Sequence, residues 1–288
     1  MLIGGYNTED KNSPNFDVEV VNFGKTGSIC DKPKDIPLSA ESVGTFMQGK
    51  VYVCGGLSPI SRLCFSYDNV TNEWKSEFST TALRLVAASV NLAPNKWWII
   101  GGFDGSKWLS STDVCDPSSG CKTYLDLPKV SLRPRAVRLN ESHIFILPKT
   151  DGKTNLAWIF DQNSEKFSPM IWQSKKVEPG IGGVNSISGT EIVVAGGNVD
   201  NTVEIYNFDL NQWRRGPKLN GIFGLGAPSV SSIDFDDGTT FIISGGRSYI
   251  DNLNYLFLYN YELNAWIVLN SRMDIGRYYH VSILIPDD

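Results

Sequence analysis

Val51-Tyr52-Val53-Cys54-Gly55-Gly56 sets four apolar residues before two glycines. The phrase returns as Met1-Leu2-Ile3-Gly4-Gly5, Trp97-Trp98-Ile99-Ile100-Gly101-Gly102, Ile192-Val193-Val194-Ala195-Gly196-Gly197 and Phe241-Ile242-Ile243-Ser244-Gly245-Gly246. The first glycines stand at 4, 55, 101, 196 and 245, giving steps of 51, 46, 95 and 49 residues. The long step is two ordinary ones. Its midpoint holds Ile144-Phe145-Ile146-Leu147-Pro148-Lys149, which keeps the apolar run and lacks both glycines. The chain therefore repeats one unit six times, and a period of this size signals repeat architecture.

Each unit runs through the same events. A stretch of small residues precedes the apolar run, as in Ala87-Ala88-Ser89, Gly182-Gly183 and Gly224-Leu225-Gly226-Ala227. After the glycines come a variable polar loop, a second apolar alternation, a polar turn and an aromatic. The turn opens six residues before the aromatic in Asp68/Trp74, Asp161/Phe167, Asn207/Trp213 and Asn260/Trp266. Units one and three are degenerate there, with Ser28 after Asn22 and Lys122 beside Tyr124. Short strands rich in Val, Ile, Tyr and Trp between Gly, Asn, Asp and Ser are hairpin signals. No stretch reads as a helix.

The reading is an all-β chain folded as a six-bladed β-propeller, with four antiparallel strands per blade. Glycine suits the end of the second strand because it tolerates positive φ and close backbone approach. The repeated aromatics are expected to pack between blades, with Trp74, Trp213 and Trp266 mostly buried. The chain opens inside a second strand, and Arg277-Tyr278-Tyr279-His280-Val281-Ser282-Ile283-Leu284-Ile285 supplies the missing first strand. The ring is thus expected to close through its C-terminal strand, leaving no free sheet edge. The expected blades are 1–36 with the closing strand 275–286, then 37–80, 81–128, 129–176, 177–219 and 220–273.

The 288 residues are 41% hydrophobic and 20% charged, enough for one domain with a substantial core. A net charge of −5 offers nothing to nucleic acid or to an anionic membrane surface. No run of eighteen apolar residues occurs, so no membrane insertion is expected. No export signal precedes the first repeat, which reads as cytoplasmic unless the cysteines are oxidised.

These residues resemble the kelch repeat family along essentially the whole chain. The likeness rests on the glycine pair after an apolar strand, the acid or amide six before a Trp, Gly101-Gly102-Phe103-Asp104-Gly105, and the tail phrase Arg277-Tyr278-Tyr279-His280. It implies the propeller fold and a non-catalytic protein-interaction module, monomeric in design, that presents one face to a protein or peptide. Narrower readings are the substrate receptor of a BTB-kelch cullin ubiquitin-ligase adaptor and a secreted structural or adhesion propeller. An oxidase of the galactose-oxidase type is the remaining alternative. Such enzymes need two copper-binding His and a Tyr cross-linked to Cys, and the spacing of His143 and His280 does not support it.

Candidate binding residues follow from what does not repeat. Tyr6, Leu57, Phe103, Asn198 and Arg247 each follow a glycine pair, and Thr150 stands there in the degenerate unit. They head loops on one rim, where a fixed scaffold presents variable chemistry. The resemblance implies that these positions contact a bound peptide. It also implies that Arg84, Arg135 and Arg277 line the channel mouth and hold acidic segments, with Arg133 or Arg138 as substitutes for Arg135. No cofactor, metal or catalytic residue is expected. Cys54 and Cys64 flank one loop, and Cys115 and Cys121 flank one turn, so both pairs can face each other across a hairpin. Cys30 is left over. Asn69-Val70-Thr71 and Asn140-Glu141-Ser142 are acceptor sequons in expected turns.

Overall fold

The computed structural model describes residues 1–7, 13–21, 33–38, 40–57, 59–93, 95–149, 156–171, 180–186, 189–196, 201–219, 225–235, 238–248 and 253–285. Its regular structure among these residues is all strand. No helix there is long and apolar enough to cross a membrane.

Blade two is the clearest unit. Ser42–Met47, Lys50–Gly55, Leu63–Asp68 and Glu73–Ser79 form one antiparallel sheet in chain order. Blade three repeats this with Ala88–Ala93, Lys96–Ile100, Thr112–Asp116 and Gly120–Thr123. Blade four uses Leu132–Arg138, His143–Lys149, Leu156–Asp161 and Lys166–Ile171. Blade five uses Gly180–Ser186, Gly189–Ala195, Val203–Asn207 and Gln212–Arg215. Blade six uses Ser229–Phe235, Gly238–Ser244, Leu256–Asn260 and Ala265–Val268. In blade one, Val281–Ser282 from the tail lies beside Leu2–Ile3, which lies beside Val18–Glu19. The register pairs Leu2 with Ser282 and Ile3 with Val281. The molecule is a six-bladed propeller with these six sheets as blades.

The apolar run is continuous because the second strand is buried on both faces. Successive side chains of a strand point to opposite sides. In blade three, Trp97 and Ile99 enter the cluster shared with blade two, whereas Trp98 and Ile100 enter the cluster shared with blade four. All four are fully buried. Blade five divides the same way, with Ile192 and Val194 toward blade four and Val193 and Ala195 toward blade six. The tail and Leu2 complete the pattern. Ile3, Val281 and Ile283 pack with Val51 and Val53 of blade two, and Leu2 packs with Ile242 and Leu256 of blade six. Each fully buried side chain in these runs contributes roughly 1.5–3 kcal/mol relative to exposure.

At Gly55, Gly196 and Gly245 the first glycine of the pair sits where the next blade's backbone crosses. Gly55 has φ +71, and a Cβ there would stand 2.4 Å from the Arg84 carbonyl oxygen. At Gly245, φ is +57 and a Cβ would stand 2.2 Å from the Arg277 carbonyl oxygen. The second glycine then ties the blades together. The Gly56 N–H donates to Arg84 O at 3.2 Å and the Gly246 N–H to Arg277 O at 2.9 Å.

The repeated aromatics differ from expectation. Trp74, Trp213 and Trp266 are half-buried, because they stand on the outermost strand of each blade, whose outer edge meets water. Each packs on the tyrosine of the third strand. Ring centroids are 5.2 Å apart for Tyr67/Trp74, 4.8 Å for Tyr206/Trp213 and 5.1 Å for Tyr259/Trp266. The tyrosine hydroxyl donates to an Asn four residues past the start of the turn, in Tyr67/Asn72, Tyr206/Asn211 and Tyr259/Asn264. Those asparagines hold positive φ, at 53, 51 and 45°. The acid or amide that opens the turn caps it: Asp68 Oδ1 accepts the N–H groups of Val70 and Thr71.

Candidate functional site

Antiparallel strands alternate in direction, so all loops between second and third strands share one rim of the propeller. In the four blades where the start of the loop is described, it is anchored in the same way. The residue after the glycine pair bonds to the backbone at the start of the innermost strand of its own blade. Leu85 and Phe103 exchange two hydrogen bonds of 2.9 Å. Gly226 and Arg247 do the same at 2.9 and 2.6 Å, Tyr6 pairs with Tyr278, and the Leu57 N–H donates to Ala40 O. Tyr6, Leu57, Phe103 and Arg247 are therefore held beside the channel mouth in four consecutive blades. Asn198 and Thr150 lie outside the described residues.

One residue further along each innermost strand, the backbone turns left-handed. Glu41, Val86, Arg133, Ala227 and Tyr279 have φ between 45 and 64°. Their backbones form a collar. The Tyr279 N–H donates to Ala227 O, Glu41 N–H to Tyr279 O and Val86 N–H to Glu41 O, at 3.0–3.3 Å. This chain of bonds runs from blade six through blade one to blades two and three.

The collar brings the expected rim residues Tyr6 and Arg247 and the alternative mouth residue Arg133 together with Tyr278 and Tyr279 of the tail. Tyr6 stacks on Tyr278 with centroids 5.3 Å apart and meets Tyr279 edge-on at 6.3 Å. The Arg133 guanidinium reaches from blade four to the Tyr279 hydroxyl of blade one, the opposite blade of the ring, and lies 5.0 Å from that ring's centroid. Arg247 lies 5.8 Å from the Tyr278 centroid. Burial, then the Glu41 carboxylate, pushes the Tyr6 phenol up to about 12. Burial also raises Tyr278. These phenols stay protonated at neutral pH and remain hydrogen-bond donors. Further round the rim, Phe103 packs on Trp108 at 5.0 Å, and Asp104 Oδ1 caps the loop by accepting the N–H groups of Ser106 and Lys107. Those bonds hold the Asp104 carboxyl at about 2.

The arginines expected at the mouth divide. Arg84 and Arg277 are each 1% exposed, too buried to meet a partner. Arg84 pairs with Asp113 through Nε and Nη2, and its Nη1 donates to Gly101 O and Ser111 O at 2.7 and 2.8 Å. Arg277 repeats the device in blade one, with Glu19 as the carboxylate and Gly4 O and Asp17 O as the carbonyls. Both pin the start of an innermost strand to the second and third strands of the same blade. Desolvation of a cation is costly, and full pairing is what permits the burial. Arg135 is half-buried, with Nη1 on Pro134 O, and the arginine that joins the tyrosine cluster is Arg133.

Other candidates fall away from the rim. His280 is buried, its Nε2 2.8 Å from Ser244 Oγ, and burial, then Arg277, lowers it to about 3. His143 lies in a turn capped by Asn140, whose Oδ1 accepts the His143 N–H. Among the described residues no group of three or more His, Cys, Asp or Glu could hold a metal ion. A cleft of about 300 Å³ lies between the innermost strands of blades one to three, lined in part by Thr45, Ser89, Asn91 and Ser282. Cys54 and Cys64 are directly opposed in register, as are Cys115 and Cys121, with Cα separations of 4.1 and 3.9 Å and sulfurs at bonding distance. Cys30 lies outside the described residues.

A ring of sheets presenting one loop-bearing rim is the architecture of a β-propeller scaffold. The family model for the kelch motif matches residues 181–220. The chain is thus a six-bladed β-propeller that carries a match to the kelch motif in its fifth blade. The solved structure entitled "Structure of YjhT" superposes with a TM-score of 0.68 at 13% identity, covering 86% of this chain and 88% of that one. At that identity the likeness concerns the fold. A search of curated proteins by sequence returned no match.

Proposed function

We propose that the chain is a non-catalytic binding module whose glycine-pair rim receives a protein or peptide partner. Kelch propellers are in general protein-interaction modules. The observation that carries the finer reading is the cluster at the channel mouth. Tyr6, Tyr278 and Tyr279 supply aromatic surface with hydroxyl donors, and Arg133 and Arg247 supply guanidinium groups. Tyr and Arg are the residue types that most often anchor interfaces. Guanidinium suits a carboxylate through paired hydrogen bonds, so the favoured partner segment carries Asp or Glu. The buried His280 lends no support to acid–base catalysis at this rim.

The test begins with a partner captured from the source tissue on the full chain and identified by mass spectrometry. Tyr6→Ala, Phe103→Ala and Arg247→Ala are each expected to weaken that binding with little change in melting temperature. Affinity is expected to fall with added salt, since exposed charges at the rim are screened. Unchanged affinity in all three variants moves the binding surface to the opposite face or the blade edges.

A further inference from the structure

We propose that Asn69 is an N-glycosylation site and that the propeller matures in an oxidising, glycan-adding compartment. Three observations converge, and none depends on the rim.

The first is the sequon itself. Asn69-Val70-Thr71 forms the tip of the turn between Leu63–Asp68 and Glu73–Ser79 in blade two. Asn69, Val70 and Thr71 are all exposed. The turn is set by Asp68, whose Oδ1 accepts the Val70 and Thr71 N–H groups. The Asn69 side chain is left outside that capping pattern. An acceptor asparagine must be able to carry a bulky group into solvent, and this position allows it.

The second is Val70. It is 89% exposed, the most exposed large hydrophobic side chain among the described residues. Exposed aliphatic side chains also stand at the equivalent tips of blades five and six, Leu210 at 64% and Leu263 at 68%, and in blade two a sugar chain on the preceding residue would cover this one.

The third is the cysteine arrangement. Both sulfur pairs sit in the same interblade cluster, with Tyr52, Trp97 and Ile99. Cys54, Cys64 and Cys115 are fully buried. Two cysteine pairs directly opposed across neighbouring strands, in adjacent blades and with Cα separations of 4.1 and 3.9 Å, are what an oxidising compartment would join and a reducing one would not keep joined. Cys54–Cys64 lies in the same sheet as the sequon.

The position also leaves the rim open. Turns between third and fourth strands lie at the end of the propeller opposite the glycine-pair loops. A glycan on Asn69 would project from that face and from the outer edge of its blade. In the modification, the Asn69 amide nitrogen forms a bond to the anomeric carbon of an oligosaccharide linked to a lipid diphosphate. The sugar–oxygen bond breaks, and the lipid diphosphate leaves with the amide proton. The other sequon differs, because Asn140 is half-buried and its Oδ1 already accepts the N–H groups of Ser142 and His143.

The experiment uses the full chain purified from its source cells. Peptide N-glycosidase digestion in heavy-oxygen water converts a glycosylated Asn to labelled Asp. The tryptic peptide 63–75 is expected to carry that label at position 69, and gel mobility is expected to increase after digestion. Mapping without reduction is expected to join peptide 63–75 to the peptide containing Cys54, and to find peptide 108–122 closed on itself. Asn69→Gln, expressed with an added secretion leader, is expected to lose the enzyme-sensitive mass. An unlabelled Asn69 in the native protein, label on Asn140 alone, or free thiols at both pairs would each overturn the proposal.

Discussion

Asp113→Ala tests the claim that Arg84 serves the fold and not a partner. Asp113 is fully buried and takes four donors: Arg84 Nε and Nη2, the Thr81 N–H and the Thr81 hydroxyl. Removing it strands a guanidinium that is 1% exposed, leaving two carbonyls and a hydroxyl as partners and no counter-charge. Breaking one side of a buried ion pair costs about 3–5 kcal/mol, and that is the expected loss. Replacing both partners with apolar residues, as in Arg84→Met with Asp113→Val, is expected to cost less than Asp113→Ala alone, because no charge is left buried. The assay is urea unfolding followed by tryptophan fluorescence and by circular dichroism, with coincident transitions required before free energies are compared. A loss below about 1 kcal/mol in Asp113→Ala, or a double variant whose cost equals the sum of the single ones, would refute the reasoning.

Gly245→Ala is expected to cost about 2–4 kcal/mol, from positive φ plus the collision with Arg277 O, while Gly49→Ala, with φ +74 and open space, is expected to lose about 1; equal losses in urea unfolding would contradict the close-approach argument. Stability is expected to fall on acidification from about pH 6.5 toward 3, because His280 binds a proton in the unfolded chain and is held at about 3 in the folded one. The slope from this residue is at most about 1.4 kcal/mol per pH unit, and His280→Gln should flatten it. A pH profile identical in the variant would show that the burial is not carried through to stability. Trp74→Ala is expected to cost about 2 kcal/mol, less than a core tryptophan, since its ring is half-buried and its Nε1 donates to Lys34 O; denaturation midpoints would show a larger loss if the ring is a true core element.

The apolar run was readable in sequence because its cause is simple. A strand buried on both faces has no polar alternation, and Trp97-Trp98-Ile99-Ile100 displays that directly. The glycine pairs are readable because the first glycine at 55, 196 and 245 tolerates another blade's carbonyl at 2.2–2.4 Å from a Cβ position, which no residue with a side chain does. Arg84 and Arg277 were misplaced because charge in sequence suggests surface, and their carboxylates lie 29 and 258 residues away. The Asn that accepts the tyrosine hydroxyl in blades two, five and six has a signal too, the spacing Asp68/Asn72/Trp74, Asn207/Asn211/Trp213 and Asn260/Asn264/Trp266. Tyr6, Arg247 and Arg133 stand among the candidates the sequence offers, but their meeting with Tyr278 and Tyr279 has no signal in it. Arg133 and Tyr279 are 146 residues apart, and only the ring brings them into contact.

The left-handed collar has a consequence for how the mouth can change. A residue with a Cβ in that conformation is strained by on the order of 1 kcal/mol, and Glu41, Val86, Arg133, Ala227 and Tyr279 all accept it. Glycine would relieve the strain and remove the atom from which a side chain could reach the opening. The ladder that fixes the aperture uses only amide and carbonyl groups, so exchanging one non-glycine residue for another leaves it intact. Blades six, one, two and three therefore each contribute one replaceable letter to the opening, and a new specificity can be spelled one blade at a time without redrawing the frame.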